Sequence, residues 1–489
     1  MRTGTKWLLA IIIIAGLFLR LYHGAELFNY SHDQDLAGWI IKDVLINHHF
    51  RLIGQLTSTP GVFIGPLFYY LLIPFYVLFK MDPIGGIYLA TGIGAFAIWS
   101  CFYVFSKVFN EKVVLISALI YALSPYTVFN DREVVPTMPL MLWSVWFFYS
   151  LNLILKGEQK KGFLFAAVLV ALIWHINFGL VILLPLFLVA LFLSKKKIDF
   201  KQLLIAGVIT VVLSLPLILF ETRHGLSQTK SIIFSATQSQ GDVIKGTDKL
   251  LKIYDVVIKD VTDLLYGYPA GVPKSLAFWV ISVASVLVFL KGKIRKNVFY
   301  LMLIWMGVTA GFFALYSKPV SEYYLNSMTV VWIVLMALIV VNMLESRKLT
   351  YFGYLLLIAF SVLSFYRFFT YPSNHQGYIE RKAVVDYIKI DAALHNFPCV
   401  AVSYIVKPGY NLGYRWFFYL DNISTRPVLS NAPVYSITFP LSLVDRVDKT
   451  FGSIGVINPD YKKYNEKGIE KSCEGDNFNL TDSMFGYTQ

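Results

Sequence analysis

Charge is what this 489-residue chain has least of. Asp, Glu, Lys and Arg make up 15% of it, against 56% hydrophobic residues. Soluble proteins carry about a quarter charged residues and about half apolar ones, so a chain of two or three soluble domains is excluded. Acidic residues are the scarcer sign, and the formal charge is +13. That excess sits in short clusters between apolar runs rather than along a phosphate-tracking face, which argues against nucleic acid as a partner. Cysteine is scarce too, at three residues without metal-ligand spacing. Cys101 falls inside an apolar run as a small core residue. Cys399 and Cys473 fall late in the chain, where an oxidising compartment would permit a disulfide without requiring one. No internal repeat or low-complexity segment stands out.

What the chain has in abundance is long apolar runs of about 16–24 residues, enough to cross a ~30 Å hydrocarbon core at ~1.5 Å per residue. They fall at about 7–22, 61–79, 84–106, 113–129, 138–155, 162–174, 176–193, 202–220, 274–290, 297–315, 323–344 and 350–368. The first resembles a signal peptide, but Arg20 interrupts it and His23-Gly24-Ala25-Glu26 is a poor cleavage site, so an uncleaved span is expected. Five linkers, at 107–112, 156–161, 195–201, 291–296 and 347–348, hold 15 Lys/Arg. The linkers alternating with them hold little beyond Arg132 and Lys318, so the positive-inside rule places the five in the cytoplasm.

Arg2 and Lys6 put the N-terminus on the same side, which requires an even number of crossings before Lys107. Three apolar runs precede it, so one does not cross. Residues 61–79, broken by Pro60, Gly61, Gly65, Pro66 and Pro74, are the best candidate to lie along the membrane. The expectation is an all-α polytopic membrane protein with eleven spans, its N-terminus cytoplasmic and its C-terminus outside the plasma membrane. Loops 23–83, 130–137 and 221–273 then share the outer side with residues 371–489. That last region mixes a helical pattern at Ala383–Leu394 with β-branched runs such as Val400–Val406 and Ser453–Ile457, and reads as a small α+β domain.

Ser31-His32-Asp33-Gln34 fits a capping box, followed by Leu36, Ile40 and Val44 at helical spacing. Asp33 therefore falls in the first turn of an amphipathic surface helix, where amides and dipole favour a carboxylate. It could accept a proton from a hydroxyl or amine acceptor, or Asp33 and Asp35 could simply stabilise the helix start. A second acidic cluster, Asn130-Asp131-Arg132-Glu133, falls on the same side by parity, either as part of a site or as a solvated turn with a local Asp–Arg pair. Two such clusters on one face of a bundle resemble a site more than either does alone. Arg223, His224 and His175 gather there as candidates for a lipid phosphate, or as interfacial anchors. Tyr69, Tyr70 and Tyr323 suit an aromatic belt or a sugar surface.

In their order, these residues resemble a known family. His32-Asp33-Gln34-Asp35, then Gly54-Gln55-Leu56-Thr57-Ser58, then the run Gly61 to Leu72 are similar to bacterial glycosyltransferases of family 39. So are Leu123-Ser124-Pro125 leading into Asn130–Glu133, Trp174-His175, Phe220 to Gly225, and Glu322-Tyr323-Tyr324-Leu325. That group comprises protein mannosyltransferases and aminoarabinose transferases and has the C-type glycosyltransferase (GT-C) fold. The resemblance covers roughly residues 7–330. It implies inverting sugar transfer from a polyprenyl-phosphate donor to a lipid, glycan or protein acceptor on the outer face. The family's essential aspartate maps onto Asp33, although Asp35 remains open as the base because relatives often have Asp-Glu here. The second acidic position maps onto Asp131 or Glu133.

Arg223 and His224 are the carry-over for the donor phosphate, with His175 and Lys318 in support, and Tyr69, Tyr70, Glu322 and Tyr323 for sugar or acceptor. No cofactor is required, and the paired carboxylates leave room for a divalent cation without demanding one. The C-terminal region has no counterpart in the shared module. A transporter or flippase would explain the spans but not the large outer loop, and would usually show repeat symmetry. A non-catalytic cell-envelope scaffold would leave both acidic clusters unexplained.

Overall fold

The structure is a computed structural model that describes residues 3–237, 246–265, 274–315, 322–373, 375–479 and 485. Among the described residues, six helices are long and apolar enough to cross a membrane: Thr3–Leu21, Pro83–Phe105, Gln159–Ile176, Lys296–Leu315, Tyr324–Leu344 and Thr350–Phe369. Phe200–Leu213 and Leu215–Arg223 make a seventh if taken as one span, bent by 61°. Pro216, in the first turn of the second piece, has no N–H to continue the ladder.

The other expected spans form shorter helices. Leu140–Leu155 and Lys274–Leu290 are continuous, Phe178–Ser194 begins in a 3-10 turn, and the run 113–129 breaks at Ser124-Pro125 into Glu111–Leu123 and Pro125–Asn130. Residues 61–79 yield a 12-residue helix, Leu67–Leu78, with Pro74 inside it. At about 1.5 Å per residue it extends only ~18 Å, too short for a span.

Hydrophobic coverage sorts the helices by depth. In Tyr324–Leu344, apolar on all sides, 78% of the apolar window is buried; in Thr350–Phe369 only 17% is. The first is the central post of the bundle and the second lies at its edge, as expected when apolar side chains face neighbouring helices in one case and lipid in the other.

The last part of the chain is α+β. Strands β1 (Val400–Val406), β2 (Thr425–Arg426), β3 (Val434–Phe439), β4 (Lys449–Phe451) and β5 (Ile454–Ile457) form one sheet in the order β2-β1-β3-β5-β4. β1 runs parallel to β2 and β3, and β5 pairs antiparallel with β3 and β4. Helix Tyr378–Leu394 brings Val384, Val385 and Ile388 into a shared core with Tyr435, Ile437 and Val456. A disulfide joins Cys399, beside β1, to Cys473 at the end of helix Glu466–Cys473.

This region is not a separate appendage. Its Tyr378, Trp416 and Phe417 belong to the same hydrophobic core as Phe28, Tyr30, Leu36 and Ile40 of the first outer segment. Gly38 is required at that contact, since a Cβ there would lie 2.4 Å from the Trp416 ring.

Candidate active site

The helix His32–Leu45 has the expected capping box at Ser31 and Gln34, with Asp33 in its first turn, but it is not the expected amphipathic surface helix: Gln34 to Ile41 are all buried, because the C-terminal region packs over it. Gln55 Nε2 donates to Asp33 Oδ1 at 2.7 Å, and the carboxylate is half-buried. Asp35, two residues on, points to a different side because successive helical residues turn by about 100°. It is buried and accepts from the Tyr30 hydroxyl at 3.2 Å and the Trp416 amide at 2.9 Å. Burial pushes its carboxyl up to about 6, although the Trp416 and Tyr30 hydrogen bonds pull the other way. Asp35 thus anchors the C-terminal region, while Asp33 faces the outer loops.

The second acidic cluster divides in the same manner. Asp131 forms a buried ion pair with Arg20 at 2.7 Å and also accepts from the Tyr121 hydroxyl at 3.1 Å. Arg20 completes the lock by donating to the carbonyls of Gly16 and Ala122. Arg132 donates to the carbonyls of Leu19 and Tyr22, both at 2.8 Å, and so satisfies the orphan end of helix Thr3–Leu21. Glu133, the next residue, hydrogen-bonds Asn29 instead and lies within electrostatic reach of Asp33. Burial raises its carboxyl to about 7 and the Asp33 charge adds to this, against a hydrogen bond from Asn29. Of the two acidic positions, Glu133 is the one whose carboxyl feels the Asp33 charge.

A hairpin-like turn joins the remaining parts. Gly54 N donates to Ile64 O at 2.6 Å and Ile64 N to Gln55 O at 3.0 Å, closing residues 54–64. Gly54 is needed because a Cβ would meet the Tyr69 ring at 2.3 Å. Phe63 N donates to Gln228 Oε1 at 2.6 Å, and the Phe63 ring packs 6.3 Å from Phe220. His224 stacks on Phe220 at 4.1 Å, while Arg223 is exposed at the end of its helix. Glu221 caps the next helix through the amides of Gln228 and Thr229. On the other flank, Gly65 N donates to Trp174 O at 2.7 Å and Leu67 N to His175 Nδ1 at 3.3 Å.

Tyr69 is buried within electrostatic reach of Asp33, and the Tyr70 hydroxyl donates to the Arg51 carbonyl at 3.0 Å. Lys318 lies outside the described residues, and of Glu322 and Tyr323 only the backbone is described. Tyr324 reaches Ser58 across the site, hydroxyl to hydroxyl at 3.4 Å.

An apolar groove of about 360 Å³ adjoins this assembly, with Leu67, Phe96, Trp143, Trp146 and Leu172 on its walls and His175 as their one ionisable neighbour. Among the described residues no three His, Cys, Asp or Glu side chains converge as metal ligands. Sequence reasoning missed Gln55 and Asn29 as partners of the carboxylates. Gln55 stands in a motif quoted above, but nothing local to it shows that its amide reaches Asp33, 22 residues earlier.

No protein-family model and no curated protein sequence matches the chain. Solved structures do. ArnT from Cupriavidus metallidurans bound to undecaprenyl phosphate superposes with a TM-score of 0.61 at 12% identity, covering 94% of this chain and 98% of that one. Its apo state gives 0.61 at 10% identity, covering 95% and 100%. The apo oligosaccharyltransferase of Archaeoglobus fulgidus gives 0.50 at 14% identity, covering 87% of this chain and 64% of that one. The fold is therefore that of the GT-C glycosyltransferases. The match to ArnT extends into the region after residue 371.

Proposed function

We propose that this protein is a membrane glycosyltransferase that moves a sugar from a polyprenyl-phosphate donor to a lipid, glycan or protein acceptor at the outer membrane face. The observation that carries this function is the half-buried Asp33 carboxylate, held by Gln55 within electrostatic reach of Glu133 from a separate segment, on an assembly whose Leu67 and His175 also wall an apolar groove. The ArnT structure bound to undecaprenyl phosphate supports the lipid-phosphate class of donor through likeness of fold. Eleven crossings, five of them by the shorter or broken helices, with the disulfide-bearing region outside, complete the topology; an oxidising outer compartment suits that disulfide.

The reaction is a single displacement at the anomeric carbon. The acceptor hydroxyl or amine gives its proton to Asp33 as it attacks. The bond from the anomeric carbon to the phosphate oxygen breaks, and the phosphate leaves with the electron pair, inverting the centre. Phosphate is a good leaving group, so a strong general acid is not needed. Its charge is met by Arg223 with His224, while His175 on the opposite flank of the 54–64 turn, its Nδ1 accepting from Leu67 N, offers its Nε2–H as a hydrogen-bond donor. The isoprenoid tail follows the groove past Phe96 and Trp146. Glu133, with its carboxyl raised to about 7, can hold a proton near neutrality and donate it as a hydrogen bond to acceptor or sugar. Tyr69 and Tyr70, with Glu322 and Tyr323, serve the sugar and acceptor.

The test is transfer of radiolabel from a panel of polyprenyl-phosphate sugars in membranes. Asp33→Asn should reduce transfer by a factor on the order of 10²–10⁴ at unchanged protein abundance. Equal transfer by wild type and variant would remove Asp33 as the base.

A further inference from the structure

Helix Gln159–Ile176 has His175 of the candidate site at one end. Its other end lies ~24 Å away at about 1.5 Å per residue, close to the thickness of a hydrocarbon core. There the turn 156–161 meets the loop 195–199 around a cavity of about 600 Å³ walled by Lys156, Lys160, Lys161, Lys196 and Lys197. The two loops are held together by one buried side chain. Gln159 donates through Nε2 to Lys197 O at 2.8 Å and accepts at Oε1 from Asp199 N at 2.7 Å. Two carboxylates share the wall, but Glu158 is spent on Lys161 at 3.7 Å and Asp199 on capping the helix at Gln202. A net positive cavity remains between loops whose spacing Gln159 fixes, its charge carried by exposed lysines.

We propose that this cavity binds the phosphate of an anionic phospholipid headgroup at the membrane surface opposite the candidate active site. Lys156 donates to the Lys107 carbonyl and Lys161 pairs with Glu158, which leaves Lys160, Lys196 and Lys197 beside a helix N-terminus to favour a phosphate electrostatically and through the amides of its first turn. The position at the end of a membrane-length helix selects a lipid over a soluble anion.

The full-length protein in zwitterionic detergent is titrated with phosphatidylglycerol, phosphatidylcholine or inorganic phosphate, following the thermal midpoint. Phosphatidylglycerol should raise the midpoint and the other two should not. Lys160→Gln/Lys196→Gln should weaken the response about 25-fold in concentration, at about fivefold per lysine, while Lys160→Arg/Lys196→Arg retains it. Lys291→Gln/Arg295→Gln, which removes equal charge from another basic turn, should retain it too. Equal responses to phosphatidylglycerol and phosphatidylcholine would overturn the proposal. So would an equal loss in the Lys291/Arg295 variant, which would mean general surface charge, or an equal response to inorganic phosphate, which would mean a soluble anion.

Discussion

Asp35→Asn separates the two neighbouring aspartates in a way that stability and activity report independently. The Asp35 carboxyl is raised from its ordinary 3.8 to about 6 because it is buried against Trp416 and Tyr30. A displacement of that size makes ionisation in the folded protein unfavourable by ~3 kcal/mol, at about 1.4 kcal/mol per pH unit. The folded state binds more protons than the unfolded state between these values, so stability at this site is full below pH ~4 and is lost as pH rises to ~6. Asparagine resembles the protonated acid and can still accept from both donors through its carbonyl. The variant should match wild type at pH 4, lack this component of the pH dependence, and exceed wild type by up to ~3 kcal/mol at pH 8. Thermal unfolding of the purified proteins across pH, followed by tryptophan fluorescence, measures this, since Trp39 and Trp416 sit at the affected contact. Sugar transfer should persist. An unchanged pH slope would refute the burial argument, and loss of transfer in a folded variant would return Asp35 to the chemistry.

Other perturbations test the remaining joints. Gly38→Ala places a methyl 2.4 Å from Trp416 and should cost about 1–3 kcal/mol, read as a lower melting midpoint. Arg20→Leu leaves Asp131 buried without its cation and should cost about 3–5 kcal/mol; Arg20→Leu/Asp131→Leu should recover most of the folded yield on size-exclusion chromatography. Cys473→Ser opens a 74-residue link and should lose about 4 kcal/mol, with wild type falling to the same midpoint under reductant. Glu133→Gln, in the loop facing Asp33, should flatten the pH profile of transfer near 7, where burial places its titration.

The membrane character of the chain and the short, proline-broken helix within residues 61–79 were legible in the sequence because they depend on short-range quantities: run length and the placement of proline and glycine. The capping box at Ser31 was legible for the same reason, being a contact across three residues. The roles of the acidic residues were not. Asp33 and Asp35 have nearly the same local sequence, and Asp131 and Glu133 share one turn. Their assignments rest on Gln55, Trp416, Arg20 and Asn29, which lie far away along the chain. Composition could show that charges face one side of the bundle. Only tertiary packing could decide which of them are desolvated and partnered in the core and which stay half-buried beside the 54–64 turn, because a carboxylate's chemistry is set by what surrounds it in space.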